Sequence, residues 1–340
     1  MNKMKNFMNS VGVVAMMVTG SANALDTRPT VVVIGSGPAG LMAALTCARL
    51  GVTTKVIRGM EPGGLLLGAG MVENMPGMAE KRGYEIMNDF MQRAEKFGAE
   101  MIDDEVVSID DTQRPFVLAC TSGTEIKADA LIVATGSAPR HLGVPGENEY
   151  WGRGVTSCAV CDCFLVKDKH ALIVGGGDSA IEHALHLAHY ADKITMLVRG
   201  EHMRASEHQQ KKLDIYRSAN KLNIMYSTDL VAIEGNGERV QHVMVLDKKT
   251  NQKQTLEVAG IFLAIGHVPN SSMVPATVAK LPDGTILLAT RSQQTTVSGI
   301  FAAGDVADNK FRQAGIAAGA GQQAGMEAVA YVQAFGGSDV

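Results

Sequence analysis

Two copies of one glycine pattern constrain this chain more than any other feature of it. Gly35-Ser36-Gly37-Pro38-Ala39-Gly40 follows the apolar, β-branched run Thr30–Ile34 and precedes a helical pattern over 41–50, which Gly51 stops. Gly175-Gly176-Gly177-Asp178-Ser179-Ala180 follows the apolar run 171–174 and precedes a helical pattern that reaches Tyr190. Strand, G-x-G-x-x-G/A, helix is the context in which this pattern marks a dinucleotide site. The first glycine permits a sharp turn and the second lets the backbone approach a pyrophosphate. The third small residue lets the helix pack close to its strand. The helix start then offers free N–H groups and the positive end of its dipole to the phosphates. Gly35, Gly37, Pro38, Ala39 and Gly40 are therefore candidates for holding one dinucleotide. Gly175, Gly177, Asp178, Ser179 and Ala180 are candidates for a second.

The segments around the two turns extend the pattern. The strand Thr53–Ile57 ends at Arg58, where an acidic residue would meet a ribose. Glu61 is the nearest carboxylate; either it takes that role or backbone groups do. Residues 65–74 read as a loop under a ligand and 82–97 as an amphipathic helix. Strands are expected over 105–109, 116–121 and 130–134. The last leaves through Ala134-Thr135-Gly136, another tight strand exit. Residues 137–146, with Pro139 and Pro145, read as a linker, and Val268-Pro269-Asn270 as a second one. Between them, the strand 193–198 ends at Arg199, with Arg204 just beyond. Basic residues there suit a 2′-phosphate, hence NADPH; the alternative is a solvated surface pair. Three hairpin-like strands follow over 230–233, 240–246 and 254–258, then a strand over 261–265. Near the C-terminus a short strand reaches Gly304-Asp305 and places a carboxylate where a polyol or ribose can donate to it. A small-residue helix covers 314–331.

These signals predict an α/β fold of two Rossmann-like dinucleotide-binding domains of the three-layer type, one inserted in the other. Residues 26–139 and 269–340 would form a flavin domain, and 140–268 a nicotinamide domain. The insert opens on Cys158-Ala159-Val160-Cys161-Asp162. Thiols at this spacing close into a disulfide or open to a dithiol with little backbone movement, and one of them commonly has a depressed pKa. Asp162 is placed to move the proton that such chemistry releases. A zinc site would want a second Cys or His pair at fixed spacing. Cys47, Cys120 and Cys163 form no second C-x-x-C and the histidines are scattered, so no metal is expected. Two dinucleotides and a dithiol together imply an electron relay from nicotinamide through flavin to sulfur.

Charge excludes other classes. With Lys+Arg 31 against Asp+Glu 35, nothing points to nucleic acid or to an anionic membrane. The N-terminus carries Lys3 and Lys5, an apolar run over 11–18 and Ser21-Ala22-Asn23-Ala24, the grammar of a secretory signal. Residues 1–25 thus read as a signal-like or disordered extension, with residues 1–24 as the signal. A nicotinamide-dependent relay needs a cofactor pool expected inside the cell, which favours the cytoplasm over export.

The chain resembles the low-molecular-weight bacterial thioredoxin reductases from about Thr30 to Gln333. The resemblance rests on both glycine turns, Val72-Glu73-Asn74, Ala134-Thr135-Gly136, the Cys158–Cys161 motif with Asp162, Gly304-Asp305 and Arg312-Gln313-Ala314. It implies FAD on the first and last segments, NADPH on the middle one, a thioredoxin-like protein substrate, a homodimer, and two domains that swivel. It also implies that Cys161 faces the flavin, that Cys158 exchanges with the substrate sulfur, and that Asp162 acts as general acid and base. Asn74, Asp305, Arg312, Gln313 and Ala314 match FAD-contacting positions, and Arg199 and Arg204 match 2′-phosphate positions. The chain departs from the family at Gly200, where an arginine is usual, so NADH is not excluded. It departs also at Leu65, often Gln, and at Cys163, usually Gly, which either exchanges with Cys161 or is a buried small side chain. A dithiol oxidase of the same fold and a non-enzymatic redox sensor are the competing readings.

Overall fold

Aliphatic runs bounded by glycine become strands buried on both faces. The computed structural model describes residues 29–60, 62–69, 71–72, 74–78 and 81–335, so the signal-like stretch 1–24 and Glu61 lie outside the described residues. Thr30–Ile34, Thr53–Ile57, Glu100–Ile102, Ala130–Val133 and Ile300–Ala302 form a five-stranded parallel sheet. Its spatial order is 300–302, 130–133, 30–34, 53–57, 100–102. Val155–Thr156, His170–Val174, Lys193–Val198, Leu222–Tyr226 and Gly260–Leu263 form a second five-stranded parallel sheet, ordered 155–156, 260–263, 170–174, 193–198, 222–226. The winding repeats. In each sheet the strand before the glycine turn lies between the next strand and a much later one, so each turn sits at a topological switch point, where open α/β sheets bind ligands. All strands of the second sheet fall in sequence between the fourth and last strands of the first.

Each sheet is the middle of three layers. Helices Pro38–Arg49 and Ala314–Phe335 cover one face of the first sheet, packing Val31, Val33, Val56 and Ile132 against Ala43, Cys47, Ala324 and Ala328. An antiparallel meander of Val106–Asp110, Phe116–Cys120 and Glu125–Ala128 covers the other, around Phe116, Leu118 and Leu131. The second sheet carries helix Asp178–Leu187 on one face and the meander Thr228–Gly235, Val240–Asp247, Gln252–Glu257 on the other.

The expected elements differ from the structure in a few places. The first helix starts at Pro38, inside the glycine motif, because Pro is well suited to the first helical turn. Residues 65–74 hold a 3-10 turn, Leu65–Gly68, and a short strand, Met71–Val72, paired with Lys81–Arg82. Both presumed linkers pair with each other: Ser137–Pro139 runs antiparallel to His267–Pro269. Thr135 Oγ1 donates to the Asn270 carbonyl at 2.5 Å and Asn270 Nδ2 returns a bond to the Thr135 carbonyl at 2.9 Å, fastening the two crossings. Among the described residues, no helix is long and apolar enough to cross a membrane.

The contact between helices Pro38–Arg49 and Ala314–Phe335 depends on missing side chains. A Cβ at Gly321 would lie 2.0 Å from the Ala39 carbonyl oxygen, whereas one at Gly319 meets nothing within 4 Å. Gly321→Ala is expected to destabilise the fold by about 1–3 kcal/mol, as overpacking does. Gly319→Ala should be neutral or stabilise by up to about 1 kcal/mol, because alanine loses less entropy in a helix. Urea unfolding of both variants checks the contrast.

Candidate active site

The two glycine turns are built alike. A Cβ at Gly35 would come within 2.4 Å of the Ala134 carbonyl oxygen, and one at Gly175 within 2.5 Å of the Ala264 carbonyl oxygen. Both residues have positive φ, +105° and +149°, so glycine serves the turn twice over. Gly40 packs against Gly35, where a Cβ would meet its carbonyl oxygen at 1.9 Å, and Ala180 is fully buried beside its strand. By contrast, a Cβ at Gly37 would meet only the Gly64 Cα, at 4.0 Å, and one at Gly177 would meet nothing within 4 Å. Gly37 and Gly177 are the N-caps of helices Pro38–Arg49 and Asp178–Leu187, and neither helix has a side-chain cap. Each turn thus leaves helix-end N–H groups facing open space, the cradle a pyrophosphate fills.

Around the first turn the sequence candidates converge from distant segments. Asn74 Nδ2 donates to Gln313 Oε1 at 3.0 Å. Ser137 Oγ donates to Asp305 Oδ2 at 3.4 Å. Gly304, at φ +77°, packs its Cα close to Ala39, and Ala314 opens the C-terminal helix. Gly136, at φ +68°, turns the chain from the Ala134-Thr135 strand exit into the crossing. Arg312 sits at φ +49°, and its Nε is buried without a hydrogen-bond partner among the described residues. Burial, with the Asp308 carboxylate nearby, raises Asp305 to about 6, against the pull of Arg312 and Ser137. A buried guanidinium nitrogen without a partner, a destabilised carboxylate and open helix N–H groups fit a group that brings hydroxyls and phosphates. A cavity of about 140 Å³, lined among others by Ser36, Arg58, Gly63, Tyr84 and Met91, opens beside this turn. Arg58, in the place of the usual acid, pairs with Asp103.

At the second turn, Asp178 Oδ1 accepts from the Ser206 N–H at 3.1 Å. Ser179, Arg199 and Arg204 are exposed. The helix from this turn also presents His183, whose pKa is lowered to about 4 by burial and then by His267 and His186. His267, on the second crossing, is lowered to about 4 by burial and then by Arg312. Hence the second unit's helix, the crossing strand and the Arg312 loop meet in one place.

The thiols follow the edge strand Val155–Thr156 at once. Cys158 and Cys161 are joined in a disulfide, with Cys158 half-buried and Cys161 exposed. Thr156 Oγ1 accepts from the Cys158 N–H at 3.1 Å and donates to Asp162 Oδ2 at 2.5 Å, linking the carboxylate to the disulfide segment. Burial raises the Asp162 pKa, and the Thr156 hydrogen bond acts against the rise. An aspartate that holds its proton longer than usual, beside a disulfide, is suited to donate to a departing thiolate. Cys163 is half-buried against the second unit's helical core.

Residues 29–321 match the family described as pyridine nucleotide-disulphide oxidoreductase. The chain belongs to this family. Among its members the chain is 38% identical over 305 residues to a thioredoxin reductase of Rickettsia prowazekii, covering 89% of this chain and 97% of the relative. The solved thioredoxin reductase of Giardia duodenalis superposes with TM-score 0.84 at 35% identity, over 90% of this chain and 100% of that one. The Lactococcus lactis thioredoxin reductase in its FR conformation superposes with TM-score 0.62 at 33% identity, over 90% of this chain and 100% of that one. This oxidoreductase is thus placed among the thioredoxin reductases, as the motifs implied.

Sequence reading missed several residues that the structure brings to the site. Thr156 carries no local signal, since its role comes from a bond across the C-x-x-C segment. Asp308 accepts from the backbone N–H groups of Lys310, Phe311 and Arg312 at 2.9, 2.9 and 3.0 Å, and so holds the Arg312 loop. Asp308-Asn309 is a recognisable turn signal in the sequence. Ser36 Oγ donates to the Arg58 carbonyl at 2.9 Å and accepts from the Gly63 N–H at 2.9 Å, tying the first turn to the next loop.

Proposed function

We propose that this chain is a thioredoxin-disulfide reductase, carrying electrons from NADPH through FAD and the Cys158–Cys161 disulfide to a disulfide of a thioredoxin-like protein. The observation that carries this reading is a closed disulfide just after the edge strand of a sheet whose own glycine turn is open for a second dinucleotide. In this reading, the first turn with Asn74, Ala134, Thr135, Gly136, Gly304, Asp305, Arg312, Gln313 and Ala314 holds FAD. The second turn with Arg199 and Arg204 holds NADPH. Bound FAD would supply the two-electron chemistry that links a nicotinamide hydride to a disulfide.

The chain's own residues do the rest. Reduction opens Cys158–Cys161 to a dithiol. The Cys158 thiolate attacks one sulfur of the substrate disulfide, forming a mixed disulfide and releasing the other substrate sulfur as a thiolate. The Cys161 thiolate then attacks Cys158 Sγ, restores the internal disulfide and releases the second substrate thiolate. Asp162 supplies and retrieves the proton at these sulfurs. The paired crossings Ser137–Pro139 and His267–Pro269 are the hinge about which the nucleotide unit turns to alternate between its partners. The superposition that loosens from 0.84 to 0.62 between relatives of near-equal identity supports such a hinge. The active form is a homodimer, and the need for NADPH favours the cytoplasm.

Anaerobic mixing of the yellow protein with NADPH and an oxidised thioredoxin should consume NADPH and yield thioredoxin thiols. In air with a dithiol substrate, thiol consumption with oxygen uptake and no use of NADPH would make the chain a dithiol oxidase instead. Arg204→Ala should weaken NADPH binding by about tenfold while leaving NADH within about twofold, since only the former carries a phosphate for the guanidinium. Equal losses in a direct binding titration would remove Arg204 from that role.

A further inference from the structure

The loop after strand Lys193–Val198 folds back over the second glycine turn. The N–H groups of Arg204 and Ala205 both donate to the Gly176 carbonyl, at 2.7 and 3.0 Å. This loop is where a 2′-phosphate would be read, and it has glycine at position 200, where the family's second arginine is usual. It also contains a carboxylate, Glu201, between Arg199 and Arg204 in sequence. Neither guanidinium takes that carboxylate. Its Oε1 instead meets Lys249 Nζ at 2.9 Å, which holds Glu201 below the usual carboxylate range, helped by His202.

Lys249 comes from the turn between strands Val240–Asp247 and Gln252–Glu257, far from the loop in sequence. Backbone bonds fix the approach. The Ser227 N–H donates to the Gly200 carbonyl at 2.9 Å, and the Lys248 N–H donates to the Ser227 carbonyl at 2.9 Å. Both Asp247 Oδ1 contacts, from the Lys249 N–H at 2.7 Å and the Thr250 N–H at 3.2 Å, shape the turn that presents the lysine. Arg199 and Arg204 remain exposed, without an ion-pair partner among the described residues.

We infer that the Glu201–Lys249 pair sets this chain's choice between NADPH and NADH. Lys249 neutralises the carboxylate that lies between Arg199 and Arg204 in the loop, so both guanidiniums keep their charge for the phosphate. Without Lys249, the carboxylate cancels one of them and repels the incoming dianion. Lys249 is a positioning residue that acts through Glu201, and the inference rests on the reading of the second turn as the NADPH site.

The test titrates the flavin-loaded protein calorimetrically with adenosine 2′,5′-bisphosphate and with AMP, which differ only in the 2′-phosphate. Lys249→Met should weaken the bisphosphate by about five- to tenfold, the effect of one exposed unit charge at short range, with AMP unchanged within about twofold. Lys249→Met combined with Glu201→Gln should restore the wild-type ratio. An unchanged ratio in Lys249→Met overturns the inference, as does a double variant as weak as the single one. Weaker AMP binding in Glu201→Gln also overturns it, since Glu201 would then hold the ribose. Failure of the wild-type protein to bind either probe would sink the reading of the turn itself.

Discussion

Cys158→Ser is expected to reduce NADPH-driven turnover of a protein disulfide to background while NADPH still bleaches the flavin at its normal rate. The variant removes the sulfur that attacks the substrate and leaves both glycine turns untouched. The disulfide follows the edge strand Val155–Thr156 of the second sheet, and the backbone bonds that shape the two turns do not run through Cys158. Cys161→Ser should lose turnover equally but trap the substrate, because nothing remains to resolve the mixed disulfide at Cys158. Non-reducing electrophoresis with a thioredoxin separates the two: an adduct with Cys161→Ser and none with Cys158→Ser. An adduct pattern of the opposite kind would exchange the roles of the two sulfurs.

Asp162→Asn should slow disulfide turnover by roughly 10²–10⁴-fold, the usual contribution of a positioned acid–base group, with little effect on flavin reduction by NADPH. The same variant carries a second sign. Because burial raises the Asp162 pKa, the folded chain holds this proton more tightly than the unfolded chain does. The stability tied to it is present at low pH and is lost as pH rises through the folded value. Above that value the ionised, half-buried carboxylate works against folding, and there Asp162→Asn should unfold at the same urea concentration as wild type or higher. In turnover, the wild-type rate should fall on the alkaline side as Asp162 loses its proton, and the variant should lose that limb. A variant that is both less stable and fully active would contradict both expectations.

The parts of the fold legible in the sequence are those where one backbone conformation excludes almost every residue but glycine. Gly35 and Gly175 mark turns that a Cβ would block against the Ala134 and Ala264 carbonyls, so the motif and the geometry are one constraint seen twice. Fully buried strands such as Ala130–Val133 read easily, because every side chain is apolar. Glu100–Ile102 and Glu125–Ala128 did not, since strands of three and four residues are too short to show a period. The pairing of Ser137–Pro139 with His267–Pro269 joins segments far apart in sequence, and prolines there argued for linkers rather than strands. Within the site, Asp162 was legible from its place after Cys161. Its partner Thr156 was not, because a hydroxyl across a turn leaves no periodic trace. The Glu201–Lys249 pair was hidden for the same reason, being set by how two turns meet.

In the proposed relay two electron sinks, a flavin and the Cys158–Cys161 disulfide, lie in series on this chain, and an anaerobic NADPH titration counts them directly. The wild-type protein should take up about two equivalents of NADPH before flavin absorbance is fully lost, and Cys158→Ser about one, since each sink holds one electron pair. An isolated chain that binds no flavin, or a wild-type titration that ends at one equivalent like the variant, would contradict the account.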